Sequence, residues 1–166
     1  MESAEKNKLF SDIVVRYSEK LYWTIRRIVL NHDDANDVMQ NVFVKAWNNL
    51  EQFQERTKIY TWLYRIAINE SLDFLLRKRD FVAYDTDLSD GVGSRLIADE
   101  YFDGDATQAL LQEAIATLPD VQRIVFNLRY FEEMKYSDMS HLLNTSEGAL
   151  KASYHIAVKK IHDYIV

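Results

Sequence analysis

One segment in the first half of the chain combines aromatic rings, cations and a carboxamide at helical spacing. Its four members are separated by four, three and four residues and fall on one narrow helix face: Lys58, Trp62, Arg65 and Asn69. Phe53, Arg56 and Tyr60 lie close to them in the chain. Such groups can stack an unpaired nucleic-acid base and hold its phosphate backbone. The alternative, which composition alone favours, is that Trp62 and Tyr64 are core residues and the charges form a solvated face.

A second constellation lies near the end of the chain, in KYSDMSHLLNTSEGALKASYHIAVKKIHDYI. The spacing predicts a short helix at Tyr136–Leu143, closed by Asn144 in the left-handed conformation, and then a longer helix capped by Ser146. The apolar residues that the longer helix would turn inward are Leu150, Ile161 and either Ile156 or Ala157. This pattern indicates a helix-turn-helix, whose second helix enters the DNA major groove. An ordinary helical hairpin is the alternative on pattern alone.

Helices must position both sets of side chains, because apolar residues recur at three- and four-residue steps along most of the chain. The first helix is predicted over residues 10–28, and Asp33 is expected to cap a second one over residues 35–50. A third begins near 58–60 and ends at the basic RKR of residues 77–79, and Pro119 fits the first turn of a later helix. One proline and four glycines agree with an all-α fold.

The acidic excess of the chain is confined to one short segment. The formal net charge is -6, with +1 over residues 1–80, -6 over residues 81–105 and -1 over residues 106–166. The middle segment also holds three of the four glycines. We therefore predict a helical domain at residues 1–80, an acidic flexible linker at 81–105, and a second small helical domain, with the helix-turn-helix, at 106–166.

Composition argues against several kinds of protein and site. A chain of 166 residues that is 48% apolar can fill packed cores, which excludes a disordered protein. The absence of cysteine excludes a thiolate zinc site and a cysteine nucleophile. Only His155 and His162 share a helical face among the histidines, so neither a metal nor another cofactor is expected. No nucleophile or glycine-rich loop accompanies the acidic pairs, so we do not expect an enzyme.

The distribution of apolar and basic residues predicts a cytoplasmic location. No apolar run approaches the roughly 18 to 20 residues of a membrane helix, so membrane insertion is not expected. The beginning of the chain, MESAEKNKLFSD, lacks the basic-then-apolar layout of a signal peptide. We therefore expect a soluble, cytoplasmic protein.

Three stretches, in the order in which they occur, resemble the bacterial sigma factors of the extracytoplasmic-function type. They are DANDVMQNVFVKAWNNLEQF, TWLYRIAINESLDFLLRKR and LPDVQRIVFNLRYFEEMKYSDMSHLLNTSEGALKASYHIAVKKI. The resemblance runs from about Leu9 to Ile161 and implies two helical domains, one for the minus-ten promoter element and one for the minus-thirty-five element. The implied function is a transcription initiation factor that directs RNA polymerase core to specific promoters. The implied partners are the clamp and flap regions of the core, promoter DNA in duplex and single-stranded form, and an anti-sigma factor.

The resemblance also assigns a polymerase-binding surface to the DANDVMQNVFVKAW helix. The residues assigned to the clamp contact are Asp34, Asp37, Gln40, Asn41, Val44 and Lys45. Composition alone favours a helix whose polar side is simply solvated. Trp47 is expected in the core.

Two further sets of residues are assigned to DNA. The α-helical stripe and the resemblance together place at the minus-ten element Arg56, Lys58, Tyr60, Thr61, Trp62, Arg65 and Asn69. The resemblance places at the minus-thirty-five element Ser146, Glu147, Lys151, Ala152, His155, Ile156 and Lys159. Where many members of the family have arginines, this recognition helix has Ser153, Ile156 and Val158. We therefore expect lower phosphate affinity and a shallower salt dependence than in an arginine-rich relative.

Two other functions fit part of the sequence. One is a stand-alone helix-turn-helix regulator, which binds duplex DNA by itself and usually as a dimer. The other is a helical interaction module that never touches DNA. The aromatic and basic stripe around Trp62 favours a sigma factor over a regulator, because a regulator has no use for a single-strand pocket.

Overall fold

The structure, a computed structural model, describes residues 2–53, 58–81 and 104–166. Helices are the only regular secondary structure in this part of the chain, and the all-α prediction is confirmed for it. In chain order they are α1 (Ser3–Val29), α2 (His32–Asn49), a 3-10 helix (Leu50–Gln52), α3 (Ile59–Phe81), α4 (Ala106–Ala116), α5 (Asp120–Tyr130), α6 (Tyr136–Leu143) and α7 (Glu147–Ile165). The chain divides into two compact units, residues 1–83 and 84–166.

The first unit is a bundle in which each of α1, α2 and α3 packs against the other two. Its deeply buried aliphatic side chains include Leu21, Ile25, Ile28, Val38, Val42, Leu63 and Ile68. They recur at helical spacing, so each helix presents one apolar face to the other two. Within this core the hydroxyl groups of Thr24 and Tyr64 are hydrogen-bonded at 2.8 Å, which joins α1 to α3.

Backbone geometry sets the boundary between α1 and α2. Leu30 takes the left-handed conformation, with φ of 73°, and its N–H donates to the carbonyl of Arg26 to close α1. The side chain of Asn31 then accepts a hydrogen bond from the N–H of Asp34 at 3.1 Å and caps α2. The prediction that Asp33 is the cap is therefore wrong. Asp33 lies in the first turn, where its negative charge interacts favourably with the positive end of the helix dipole.

Trp47 is less buried than predicted. Its ring is half-buried and meets the ring of Phe10 edge-on, with centroids 5.2 Å apart. The ammonium group of Lys6 lies 4.2 Å from the centroid of the Trp47 ring. The tryptophan therefore lies at the border of the core, between α1 and α2.

The second unit is organised around α7, which packs against α4, α5 and α6. Its central cluster is made of buried apolar residues: Ala114, Ile115, Leu118, Phe126, Ala157 and Ile161. Ala157 is fully buried and Ile156 is 47% exposed, so the inward position is Ala157. Pro119 directly precedes α5, where its missing N–H costs no helical hydrogen bond.

Most of the predicted acidic linker lies outside the described residues, as does Arg56. Both ends of the segment are described. Phe81 is the last residue of α3. At the other end, the carboxylate of Asp105 accepts a hydrogen bond from the N–H of Gln108 at 3.0 Å and caps α4.

Candidate nucleic-acid interface

The outer face of α3 carries the predicted stripe, named here the α3 stripe: Lys58, Trp62, Arg65 and Asn69. Its polar members are exposed, and Trp62 is half-buried with its ring centroid 5.3 Å from that of Phe53. The N–H of Trp62 donates to the carbonyl of Lys58 at 3.1 Å, which keeps Lys58 in helical register with the stripe. Tyr64, by contrast, is 1% exposed. The core interpretation thus applies to Tyr64, whereas Trp62 stays accessible among the cations.

Tyr60 lies on a different side of α3 from this stripe. Its ring centroid is 4.9 Å from that of Tyr64 and 5.6 Å from that of Tyr17 on α1. The ammonium group of Lys20 lies 4.3 Å from the centroid of the same ring. Thr61 is exposed beside the stripe. The structure therefore brings Lys58, Thr61, Trp62, Arg65 and Asn69 to one surface and turns Tyr60 toward α1.

The predicted helix-turn-helix is present in α6 and α7. Asn144 takes the left-handed conformation, with φ of 52°, and its N–H donates to the carbonyl of Ser140 to close α6. The hydroxyl oxygen of Ser146 accepts a hydrogen bond from the N–H of Ala149 at 3.2 Å and caps α7. An asparagine can take this conformation at small steric cost, which permits the sharp turn.

The outer face of α7 and its N-cap contain the whole predicted minus-thirty-five set. All of its members are exposed: Ser146, Glu147, Lys151, Ala152, His155, Ile156 and Lys159. The opposite face is held to the unit by Leu150, Ala157 and Ile161. The start of α7 is further supported by Tyr136, whose ring centroid lies 5.6 Å from the Lys151 ammonium and 4.8 Å from the Arg129 guanidinium.

Tyr154 lies on the inner side of α7. Its ring stacks on that of Phe126, with centroids 5.8 Å apart. Burial raises the pKa of the Tyr154 phenol, and the neighbouring Tyr136 adds to this rise. The raised pKa therefore extends to higher pH the range in which this phenol, packed beneath the recognition face, stays neutral.

The predicted polymerase-binding residues lie along α2, and most of them are exposed. Asp37, Gln40, Asn41, Val44 and Lys45 are accessible. Asp34 is half-buried, and its carboxylate lies 2.7 Å from the ammonium group of Lys78 on α3. The composition-based alternative, a helix with an uninvolved polar side, therefore does not describe Asp34.

A shallow cavity of about 470 Å³ lies between α2 and α3, on the side of the first unit that carries the predicted polymerase-binding residues. The predicted residues Asn41, Val44 and Lys45 form one wall. The other wall, which was not predicted, consists of Glu70, Asp73, Leu76 and Arg77. Lys45 forms an ion pair with Glu70, whose side chain is only 5% exposed. The steps of three and four residues between Glu70, Asp73 and Arg77 could have indicated a shared face, but not that α2 lies opposite.

Residues 2–53, 58–81 and 104–166 contain neither a cluster of metal ligands nor a membrane-spanning helix. Within these ranges no group of three or more His, Asp and Glu side chains could hold a metal ion. In the same part of the chain, no helix combines the length and apolarity needed to cross a membrane.

Comparison with protein families gives two matches, one to each unit. Residues 13–81 match the model of Sigma-70 region 2, and residues 108–161 match that of Sigma-70, region 4. The first match contains the α3 stripe and the predicted polymerase-binding residues, and the second contains the helix-turn-helix. A stand-alone helix-turn-helix regulator is not favoured, because it does not account for the first match.

Comparison with whole proteins gives matches over most of the chain. The chain is 32% identical over 155 residues to the ECF RNA polymerase sigma factor SigW of Bacillus subtilis, covering 88% of this chain and 83% of that protein. It is 29% identical to the RNA polymerase sigma-H factor of Pseudomonas aeruginosa, covering 87% of this chain and 80% of that protein.

Solved structures share the fold. The sigma factor RpoE of Bartonella quintana, solved with the anti-sigma factor NepR, matches with a TM-score of 0.72 at 19% identity, covering 95% of this chain and 97% of that one. CnrH, solved with the cytosolic domain of CnrY, matches with a TM-score of 0.68 at 21% identity, covering 96% of this chain and 88% of that one. The region 2 and region 4 matches and the 32% identity to SigW show that the chain is a transcription initiation factor that belongs to the extracytoplasmic-function sigma factors of the sigma-70 family.

Proposed function

We propose that this chain binds RNA polymerase core through α2 and directs it to promoters through two separate DNA surfaces. In this proposal residues 1–80 open and read the minus-ten element, and residues 106–166 read the minus-thirty-five element. The acidic segment at 81–105 tethers the two. The chain supplies binding energy and performs no catalysis itself, and it acts in the cytoplasm, where the polymerase transcribes.

One observation carries the proposal. A single chain presents an accessible tryptophan among cations and an asparagine on α3, and an exposed helix-turn-helix face on α7. The first surface suits unpaired bases, because rings stack on bases of any sequence and a carboxamide can pair with a base edge. The second suits duplex DNA. Only a protein that meets DNA in both states needs both surfaces.

The energetics allow melting without nucleotide hydrolysis. Unstacking and unpairing one base costs a few kcal/mol, whereas stacking it on an aromatic side chain returns about 1 to 3 kcal/mol. Hydrogen bonds from Asn69 to the edge of the base add to this return. Capture by the α3 stripe can therefore hold an open base pair once thermal motion has opened it.

An anti-sigma protein is a further proposed partner. RpoE of Bartonella quintana, which shares the fold, was solved with the anti-sigma factor NepR. The cavity between α2 and α3, bordered by the exposed Val44 and Leu76, offers apolar and charged groups to a protein partner. Polymerase and an anti-sigma protein would compete for the chain if both used this surface.

The test is transcription by reconstituted holoenzyme. Purified chain and RNA polymerase core are incubated with a promoter library, and run-off transcripts are sequenced. We expect transcripts from specific promoters with the chain and core together, and none with either alone. Promoter-specific DNA binding by a dimer of the chain without core would overturn the proposal.

A second arm assigns the α3 stripe. Asn69→Ala should impair transcription from duplex templates, and a pre-melted bubble should restore the part of the loss that is due to melting. The matched control is Asn7→Ala, which removes an exposed asparagine on α1 far from the stripe in sequence. If Asn69→Ala behaves like Asn7→Ala on both templates, the stripe does not capture a base.

A further inference from the structure

The outer flank of α1 repeats the spacing of the α3 stripe. Four residues at steps of four, three and four again combine cations with one tryptophan and are named here the α1 stripe: Arg16, Lys20, Trp23 and Arg27. Arg16 and Lys20 are exposed, and Trp23 and Arg27 are half-buried. Such a stripe is about 17 Å long at the helical rise of 1.5 Å per residue. That length matches about five nucleotides of a stacked strand.

The α1 stripe reaches the end of α3 at which the α3 stripe begins. The ammonium group of Lys20 lies 4.3 Å from the centroid of the Tyr60 ring. Tyr60 is the second residue of α3, next to Thr61 and two residues from Lys58. Tyr17, beside Lys20 on α1, also contacts Tyr60, with ring centroids 5.6 Å apart. The two stripes therefore approach each other around the first turn of α3.

The exposed cations of this stripe differ from another cation on the same helix. Lys6 is engaged within the fold, since its ammonium group lies 3.9 Å from the carboxylate of Glu51. Within the described parts of the chain, no carboxylate forms an ion pair with Arg16 or Lys20. They lie instead beside tyrosine rings, which leave their N–H donors available to an anion.

We propose that the α1 stripe binds the phosphate backbone of single-stranded DNA next to the nucleotides held by the α3 stripe. Cations that track a backbone beside an accessible ring are the combination that single strands require. The inference rests on the proposed function, because it takes the α3 stripe as the minus-ten surface. It adds α1 to that surface and lengthens the single-stranded segment that the first unit holds.

The test uses holoenzyme and a labelled forked DNA made from a promoter selected in the transcription experiment. The double variant Arg16→Ala/Lys20→Ala is compared with wild type over a range of salt concentrations. Each phosphate contact with a single strand contributes about 0.7 to the slope of log K against log salt, so we expect the slope to fall by about 1.4. The same relation gives a loss of affinity of about 25-fold at 0.1 M salt.

Two controls make the result specific. Lys8→Ala removes an exposed lysine from another face of α1 and should leave both slope and affinity unchanged. Arg16→Lys/Lys20→Arg keeps both charges and should bind like wild type. Because alanine is the best helix former and both sites are exposed, the double variant should fold, which circular dichroism checks.

The other outcomes are distinguishable. If Asn69→Ala weakens binding of the forked DNA but the double variant does not, the α1 stripe is not a DNA surface and the proposed function stands. If the double variant instead weakens assembly with polymerase core, the stripe binds an acidic protein surface and the inference is overturned. If no promoter is selected at all, the proposed function fails and the inference fails with it.

Discussion

The ion pair between Lys45 on α2 and Glu70 on α3 should respond unequally to loss of its two members. The Glu70 side chain is 5% exposed, whereas that of Lys45 is 54% exposed. Lys45→Met keeps the length of the side chain and its helix propensity but leaves a buried carboxylate without its cation. Glu70→Gln leaves an ammonium group that already has access to water.

The magnitudes follow from this difference in burial. A buried charge that loses its partner destabilises a fold by at least about 1 to 3 kcal/mol. We therefore expect Lys45→Met to lower the free energy of unfolding by about 2 kcal/mol. An ion pair with one largely exposed member is worth at most about 1 kcal/mol, which sets the expected cost of Glu70→Gln. The double variant should cost less than the sum, with a coupling free energy of about 1 kcal/mol.

Tryptophan fluorescence of the full chain is the appropriate assay. The three tryptophans are Trp23, Trp47 and Trp62, and all of them belong to the first unit. Urea unfolding followed by this signal therefore reports on the unit that contains the ion pair. With an m-value of about 1 kcal/mol/M, the midpoint should fall by about 2 M for Lys45→Met and by about 1 M for Glu70→Gln.

Equal losses for the two single variants would refute the reasoning, because they would show that burial of Glu70 does not set the cost. The matched control is the ion pair between Asp34 and Lys78, which joins the same two helices with both side chains partly exposed, at 23% and 28%. Asp34→Asn and Lys78→Met should each cost about 1 kcal/mol or less, without the asymmetry.

Three further predictions concern the second unit. Lys151→Ala should weaken binding of holoenzyme to the upstream duplex. If Lys151 contacts a base, the loss should be about 1 to 3 kcal/mol and the preference at one base position should relax. If it contacts phosphate, the loss should be about equal for all DNA sequences. Lys160→Ala, on the opposite side of α7, is its control and should bind like wild type when both variants are compared by gel shift. Ser146→Ala should destabilise α7 by about 1 kcal/mol, which faster hydrogen exchange of the α7 amides would show. Ser146→Asp should not destabilise the helix, because the aspartate can still accept a hydrogen bond from the N–H of Ala149. The raised pKa of Tyr154 means that its contribution to stability is present below the ordinary pKa of 10.0 and is lost as the pH rises through the raised value. Tyr154→Phe should remove this part of the alkaline loss of stability, and unchanged alkaline unfolding by circular dichroism would contradict the assignment.

Most of the helices were predictable because each has one apolar face, and periodicity reports that face directly, whereas α4 was not predicted. The errors occur where neighbouring residues could serve equally well. Asn31 and Asp33 are both good caps, and only the extended backbone at Asn31 separates them. Ile156 and Ala157 are both apolar, and the packing of α7 decides which one is buried.

Within the candidate site, the residues that share one helix face could be predicted from their spacing. The contacts between helices could not be predicted. The α3 stripe follows from its own period, and its exposure agrees with that period. The ion pair of Lys45 with Glu70 and the contact of Lys20 with Tyr60 join residues far apart in the chain. They depend on how three helices pack, and local patterns do not contain that information.

The two faces of α7 have a consequence for how this protein can change over generations. Leu150, Ala157 and Ile161, together with the inward Tyr154, hold the helix to its unit, and the exposed residues opposite them add little to the core. Exposed substitutions away from caps usually alter stability by no more than about 0.5 kcal/mol. Under the proposed function, mutations can therefore redirect the chain to new promoters without first unfolding it, and gene duplication followed by drift on this face offers a short route to a separate regulon.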